Sequence, residues 1–268
     1  MDSSTQLSAP IAQGRTAEVY AWGDASILKL YHTWCPPDWI DNELLVARAI
    51  ARAGVPSPAV GEIIEINGRR GITYERVPGL SMLQDMNARP WLLLRYARCL
   101  ASLQNQFAQI TVPGLRRYRE ALHHILLRAP DLTDEMRSKL LARLETLPDG
   151  QTLCHADFHP DNVIISPRGP VVIDWMTAVS GSPWADVART SLILQIGARA
   201  AGKQLSPPLR LAIGLFHTTY LGHFRSLTPD SRGELRRWMP VIAAARLDER
   251  IEPERAALLQ LVTESLAD

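Results

Sequence analysis

The sequence predicts an α+β protein in two lobes, a small antiparallel β-rich lobe followed by a larger, mainly helical one. Three observations lead there. Up to Glu75, short strand-like runs alternate with turn residues around one helical pattern. Val77-Pro78-Gly79 then reads as a linker. Beyond it, long stretches carry apolar residues at helical spacing, broken once by a pair of short strands near Cys154–Asp174. The boundaries drawn are 1–76 for the first lobe and 77–268 for the second.

In order, Ile11–Gln13, Glu18–Trp22 and Ile27–Tyr31 read as strands, with Gly14-Arg15-Thr16-Ala17 and Gly23-Asp24 as turns. Pro36-Pro37-Asp38 stops the third strand and caps a helix from about Trp39 to Arg52. Its apolar face is Ile40, Leu44, Ala47 and Ile50, and Glu43 sits beside that face. Gly61–Ile66 and Gly71–Glu75 complete a five-stranded unit. Asn67-Gly68 favours a tight hairpin turn between them, with Arg69 and Arg70 able to widen the loop. Helical periodicity follows at Pro90–Gln109, Leu115–Arg128 and Thr133–Leu147. It returns at Trp184–Ala200, Pro207–Leu227, Gly233–Arg246 and Pro253–Leu266. Active sites commonly lie in the cleft between two such lobes.

Composition narrows the partners. With 46% apolar and 21% charged residues, the chain is ordinary for a soluble globular protein. A net charge of +1 gives no reason to expect nucleic acid. The N-terminus MDSSTQLSAPIAQG lacks signal-peptide features, and no apolar run reaches spanning length, so no membrane partner is expected. Cys35, Cys99 and Cys154 have no metal-type spacing, and their odd number fits a reduced, cytoplasmic location. A monomer or homodimer is expected.

The chemistry concentrates in Cys154–Asp174, CHADFHPDNVIISPRGPVVID. Phosphoryl transfer needs an Asp to orient the attacking hydroxyl, and an Asn and a second Asp to hold Mg²⁺. It also needs a strand Lys for the nucleotide phosphates, braced by a helix Glu. Asp157 precedes Asn162 by the required five positions, and Asp174 ends the following hairpin. Lys29 lies on the third strand and Glu43 on the next helix. Mg²⁺ prefers such carboxylate and amide oxygens beside substrate phosphates.

HADFHPDNVII and VVIDW resemble the central motif of the aminoglycoside phosphotransferase and choline kinase family, relatives of protein kinases. GRTAEVY, ILKLY, NELLVARAI, TYERVPG and DWMTAVSGSPWADVAR extend the resemblance over most of the chain. It implies a two-lobed protein-kinase-like fold, with a nucleotide-binding first lobe and an acceptor site in the second. It implies an ATP-dependent O-phosphotransferase acting on a small-molecule hydroxyl, with Mg²⁺; GTP in place of ATP stays open. Asp157 would be catalytic, and Asn162 and Asp174 the metal ligands. Lys29, paired with Glu43, would contact phosphates, and Gly14 and Thr16 would lie over them. The backbone of Glu75 and Val77 would bind adenine, with Tyr74 behind it. His155 would be structural and Asp186 a buried carboxylate paired with the catalytic loop. Ala156 stands where Gly is usual, Asp161 where Gly is frequent, and Gln104 where many members have His.

Two alternatives compete. One is a Zn²⁺-dependent hydrolase using His155, His159 and Asp157, although Pro160 argues against the helix such a pair prefers. The other is a non-catalytic nucleotide-binding module. For the acceptor, Asp248, Glu249, Glu252 and Glu254 form either a cation site for an aminoglycoside or a solvated, capped helix start, the second being the better reading. No aromatic cation pocket of the kind choline would need is evident. Drug resistance does not follow from these motifs alone.

Overall fold

The structure is a computed structural model that describes residues 7–197, 206–228 and 233–267. Two compact units are present. One holds the chain up to Asp85 together with Asp161–Met176, and the other holds Met86–Pro160 and the chain from Thr177 onward.

In the first unit, β1 (Ala12–Gln13), β2 (Ala17–Trp22), β3 (Ser26–Tyr31), β4 (Val60–Ile66) and β5 (Arg69–Glu75) form an antiparallel sheet. Its strand order is β1-β2-β3-β5-β4. Helix α1 (Pro37–Arg52) connects β3 to β4. It starts earlier than the sequence suggests: Pro37 occupies the first turn, where a missing N–H costs nothing. Asp38 is therefore inside that turn, at the positive end of the helix, and no side chain caps it. Asn67 (φ 52°) and Gly68 (φ 73°) make a two-residue turn. Ile66 pairs with Arg69 and Glu65 with Arg70, so the two arginines belong to β5 and do not widen the loop.

The period-two alternation of β3 sorts its side chains between two cores. Leu28 and Leu30 pack with Tyr20 and Ile66 on one face. Tyr31 packs with Ile40 and Leu44 of α1 on the other. Lys29 shares the α1 face by the same parity.

After the linker, β6 (Leu80–Ser81) and helix α2 (Met82–Ala88) appear, neither expected from sequence. β6 pairs with β8 (Val163–Ser166), which pairs with β9 (Gly169–Val172). The Val172 N–H donates to Pro56 O at 2.7 Å and ties this hairpin to the segment before β4.

The second unit is mainly helical. Its helices are α3 (Leu93–Phe107), α4 (Tyr118–Arg128), α5 (Asp134–Thr146), α6 (Pro183–Leu192), α7 (Pro207–Leu227), α8 (Glu234–Leu247) and α9 (Glu252–Ala267). The sequence extends α6 to Ala200; it ends at Leu192, a π-type turn covers Ile193–Gly197, and the rest lies outside the described residues. α3 packs along α7, and α8 is flanked by α6 and α9. The ribbon of β7 (Thr152–Cys154) and β10 (Val179–Gly181) carries the loop that begins at His155. Trp175 and Trp184 are buried. Among the described residues, no helix is long and apolar enough to cross a membrane.

Gly79 has φ 141°, and an added Cβ would lie 2.2 Å from Ile165 O. Gly79→Ala should therefore break the β6–β8 pairing and destabilise by about 1–3 kcal/mol, read from urea unfolding. An unchanged midpoint would show that the backbone can move aside.

Candidate active site

In the first unit, Lys29 Nζ donates to Glu43 Oε1 at 2.7 Å and to Asp174 Oδ1 at 2.8 Å. Glu43 is buried because its position on α1 faces the sheet. Burial opposes the lysine charge, but Asp174 and Glu43 more than offset it and the ammonium is held above its ordinary pKa. The Tyr74 hydroxyl also donates to Glu43 Oε1, at 3.1 Å. Tyr74 was expected only as a wall behind the adenine, and this polar contact had no signal in the sequence. Asp174 has φ 63°, a left-handed conformation that Asp tolerates better than most residues. Its carboxylate is 44% exposed.

Lys29, Glu43, Tyr74, Asn162 and Asp174 line one cavity of about 180 Å³. Among the described residues, Glu43 Oε2 is buried without a hydrogen-bond partner in range, and the buried Tyr31 hydroxyl beside Glu43 has its pKa raised first by burial and then by that carboxylate. Asn162 and Asp174 offer the hard oxygen donors that Mg²⁺ takes alongside water and phosphate. Among the described residues, no group of three or more His, Cys, Asp or Glu could hold a metal by itself. The donor set therefore fits a cation shared with a substrate and gives the Zn²⁺ hydrolase reading no cage.

Gly14, Thr16, Glu75 and Val77 do not line this cavity. Gly14 closes the turn before β2, its N–H donating to Ala17 O at 2.8 Å, and Thr16 O accepts from His32 N–H at 2.9 Å. The Glu75 N–H is already donated to Ala59 O at 2.8 Å. The Glu75 carboxylate takes both arms of Arg168, at 2.6 and 2.9 Å, and Arg168 with the Ala59 N–H holds its pKa low. Asp161, standing where Gly is frequent in the resembled family, accepts from Ser81 Oγ at 2.6 Å.

Asp157 belongs to the second unit. Asp186, buried on α6, organises its loop: Oδ1 accepts from Ala156 N–H at 2.7 Å, and Oδ2 from His155 N–H at 3.2 Å. Gln104 Nε2 donates to the same Oδ2 at 2.9 Å and to Thr190 Oγ1 at 3.1 Å, and the Tyr220 hydroxyl donates to Gln104 Oε1. Gln104, standing where many members of the resembled family have His, thus has a hydrogen-bonding role here. Ala156 has φ 61°, strained for a residue with a Cβ, and the bond to Asp186 holds it there. His155 is buried, and its Nδ1 accepts from Asp157 N–H at 3.3 Å. Cys154 is fully buried, and burial raises its thiol well above the ordinary range, as expected of an inert thiol.

Burial pushes the Asp157 pKa up, but His159, Arg189 and His155 outweigh it and hold the carboxylate well below its usual range. His159 Nε2 is 3.8 Å from Asp157 Oδ2, and Arg189 Nη2 is 3.5 Å from Oδ1. Arg189 was not singled out from sequence; only its place three residues after Asp186, on the same helix, hinted at it. Arg189 also pairs with Glu249, while Glu254 pairs with Arg246 and Asp248 with Arg128. Among the described residues, arginines thus pair with three of the four members of the acidic cluster, while exposed Glu252 lies with Glu254 in the first turn of α9, as a helix start would have it.

The sequence profile of a family described as the phosphotransferase enzyme family matches residues 8–214. No curated protein matches the sequence. Among solved structures, an aminoglycoside-3'-phosphotransferase of type VIII is similar with a TM-score of 0.60 and 20% identity, over 90% of each chain. Amicoumacin kinase hAmiN, solved with AMP-PNP, Ca²⁺ and Ami, gives 0.63 and 14% over 100% of this chain and 89% of its own. A choline/ethanolamine kinase family protein from Mesorhizobium loti gives 0.61 and 16%, over 99% and 93%. These likenesses show a kinase-like fold.

Asp186→Ala should remove the carboxylate that accepts from the His155 and Ala156 amides. A loss of about 3 kcal/mol or more is expected in chemical denaturation, since a charged acceptor serving several donors is removed. A loss under about 1 kcal/mol would mean that the loop does not depend on this carboxylate.

Proposed function

The chain belongs to the phosphotransferase enzyme family, and from that premise we propose that it transfers the γ-phosphoryl group of ATP to a hydroxyl of a small molecule. The observation that carries this reading is Lys29 bonded to both Glu43 and Asp174 beside Asn162 in one cavity. In this proposal residues 1–76 serve the nucleotide, and residues 77–268 supply the catalytic loop and the acceptor site.

Lys29 would grip the nucleotide phosphates, and Glu43 with the Tyr74 hydroxyl would keep its ammonium aimed. Gly14 and Thr16 would cover the phosphates, while the Glu75 carbonyl and the Val77 amide would face the base. Asn162 and Asp174 would hold Mg²⁺, which supplies neutralisation of charge on the transferring group. The transition state for this transfer is loose, so placement and charge do most of the work. Asp157 would accept a hydrogen bond from the acceptor hydroxyl and take its proton late. Its depressed pKa keeps the carboxylate ionised through the neutral range. Asp157 therefore sets no loss of rate between neutral pH and the ordinary carboxylate range.

ADP release from Mg·ATP, measured with a panel of aminoglycosides, macrolides, amino alcohols and sugars, tests the reading. At least one acceptor should stimulate turnover. Asp157→Asn should lower kcat by roughly 10²–10⁴-fold, the usual scale for a positioned acid–base group. Lys29→Ala should chiefly raise KM for ATP. The reading fails if no acceptor stimulates turnover, or if Asp157→Asn leaves turnover unchanged.

A further inference from the structure

We propose that Arg69 and Arg70, the two residues after the Asn67-Gly68 turn, are positioning residues for the Lys29–Glu43 pair. The inference rests on the reading of Lys29 as the group that grips the nucleotide phosphates. Lys29 lies near the end of β3 and Glu43 in the second turn of α1. The chain between the two elements runs from His32 to Pro36. All of these residues belong to the first unit.

Side chains alternate across β5, so the two arginines reach opposite faces of the sheet. Arg70 shares the α1 face with Ile72 and Tyr74. Its Nη1 donates to Pro37 O at 3.1 Å and to Asp41 Oδ2 at 3.2 Å, and its Nη2 donates to Asp41 Oδ1. A guanidinium fork on one carboxylate sets orientation as well as distance. Asp41 is two residues before Glu43, so a rotation of α1 that took Glu43 from Lys29 would also pull Asp41 from this fork. Arg69 works from the other face. The β3–β5 ladder ends at the Leu30–Gly71 pair. There Arg69 Nε donates to Tyr31 O at 2.9 Å and Nη2 to Leu30 O at 3.1 Å, while Nη1 pairs with Glu18 Oε2 of β2 at 2.8 Å.

The two arginines thus hold both ends of the His32–Pro36 connection, one on β3 and one on α1. That connection also carries the turn expected over the phosphates. The His32 N–H and the Cys35 thiol both donate to Thr16 O, at 2.9 and 3.2 Å. Fixing the ends of the connection fixes the span across which Lys29 Nζ meets Glu43 Oε1 at 2.7 Å. Neither arginine lines the cavity, so their effect on a nucleotide passes through the residues they hold. The Arg70 and Asp41 side chains are 28% and 53% exposed, whereas Glu43 is buried. An exposed ion pair adds little to global stability. Its consequence here is the placement of the buried pair.

The test is calorimetric titration of the full chain with a non-hydrolysable ATP analogue in Mg²⁺, beside KM for ATP and for the fastest acceptor from the panel. It compares Arg69→Ala, Arg70→Ala, Arg70→Lys, Asp41→Asn, Glu43→Gln and Arg70→Ala combined with Glu43→Gln, each corrected for its folded fraction. Arg69→Ala, Arg70→Ala and Asp41→Asn should each weaken analogue binding and raise KM for ATP by roughly three- to ten-fold, as displaced binding groups do. KM for the acceptor should stay within about two-fold, which a general loss of structure would not give. Arg70→Lys keeps the charge without the fork and should recover part of the loss. With Glu43→Gln already present, Arg70→Ala should add less than about two-fold, because the residues act as a unit. Asp41→Asn, on an exposed side chain, serves if Arg70→Ala folds poorly. The proposal is overturned if Glu43→Gln weakens binding while Arg69→Ala, or Arg70→Ala with Asp41→Asn, does not, or if the losses of Arg70→Ala and Glu43→Gln multiply. If Glu43→Gln and Lys29→Ala both leave analogue binding unchanged, the functional reading itself falls and the proposal with it.

Discussion

One buried ammonium holds the first unit in working order. Lys29 is 14% exposed on a sheet face covered by α1, where an uncompensated charge would cost several kcal/mol. Glu43 and Asp174 compensate it from two directions, one from the helix and one from the chain after β9. That requirement fixes the register of α1 against β3 and the place of Asp174 beside both. Two further ties act in the same sense: Arg168 clamps Glu75, and Val172 N–H reaches Pro56 O. The hairpin that separates Asn162 from Asp174 is thus fastened to the sheet that carries the lysine.

The second unit meets its own need with a buried anion. Asp186 is 1% exposed, and burial raises its pKa against the pull of Gln104, His155 and Ala156. A carboxylate in that position is tolerable only with several donors, and the loop amides are those donors. This explains how Ala156 can keep a left-handed backbone where glycine would be easier. It also explains why Gln104 can serve on α3: an amide donor there satisfies Asp186, and its carbonyl is satisfied by Tyr220. The position of Asp157 is a consequence of this packing as much as of its own contacts.

Much of this was legible in the sequence, for physical reasons. Lys29 and Glu43 could be placed because strand parity and helix periodicity are local patterns. Asn67-Gly68 gave its turn because both residues accept positive φ. Asp157, Asn162 and Asp174 are proposed from the spacing that the chemistry requires, and Asn162 and Asp174 line one cavity with Lys29. The α2 helix was missed because seven residues are too few to show a period. Arg189–Glu249, Tyr74–Glu43 and Arg168–Glu75 were missed because the partners lie 60, 31 and 93 positions apart, and no local pattern joins them. The acidic run around the start of α9 was read incompletely for the same reason. Its composition suggested solvent or a cationic ligand, while its partners were arginines elsewhere in the chain.

The central claim is that Lys29, Asn162 and Asp174 make one site for a metal-bound nucleotide. Calorimetric titration with a non-hydrolysable ATP analogue, with and without Mg²⁺, addresses it directly. The account predicts that Mg²⁺ strengthens binding by about tenfold or more, equivalent to about 1.4 kcal/mol, and that Asp174→Asn removes this dependence. Equal affinity with and without Mg²⁺, or full Mg²⁺ dependence in Asp174→Asn, would contradict it.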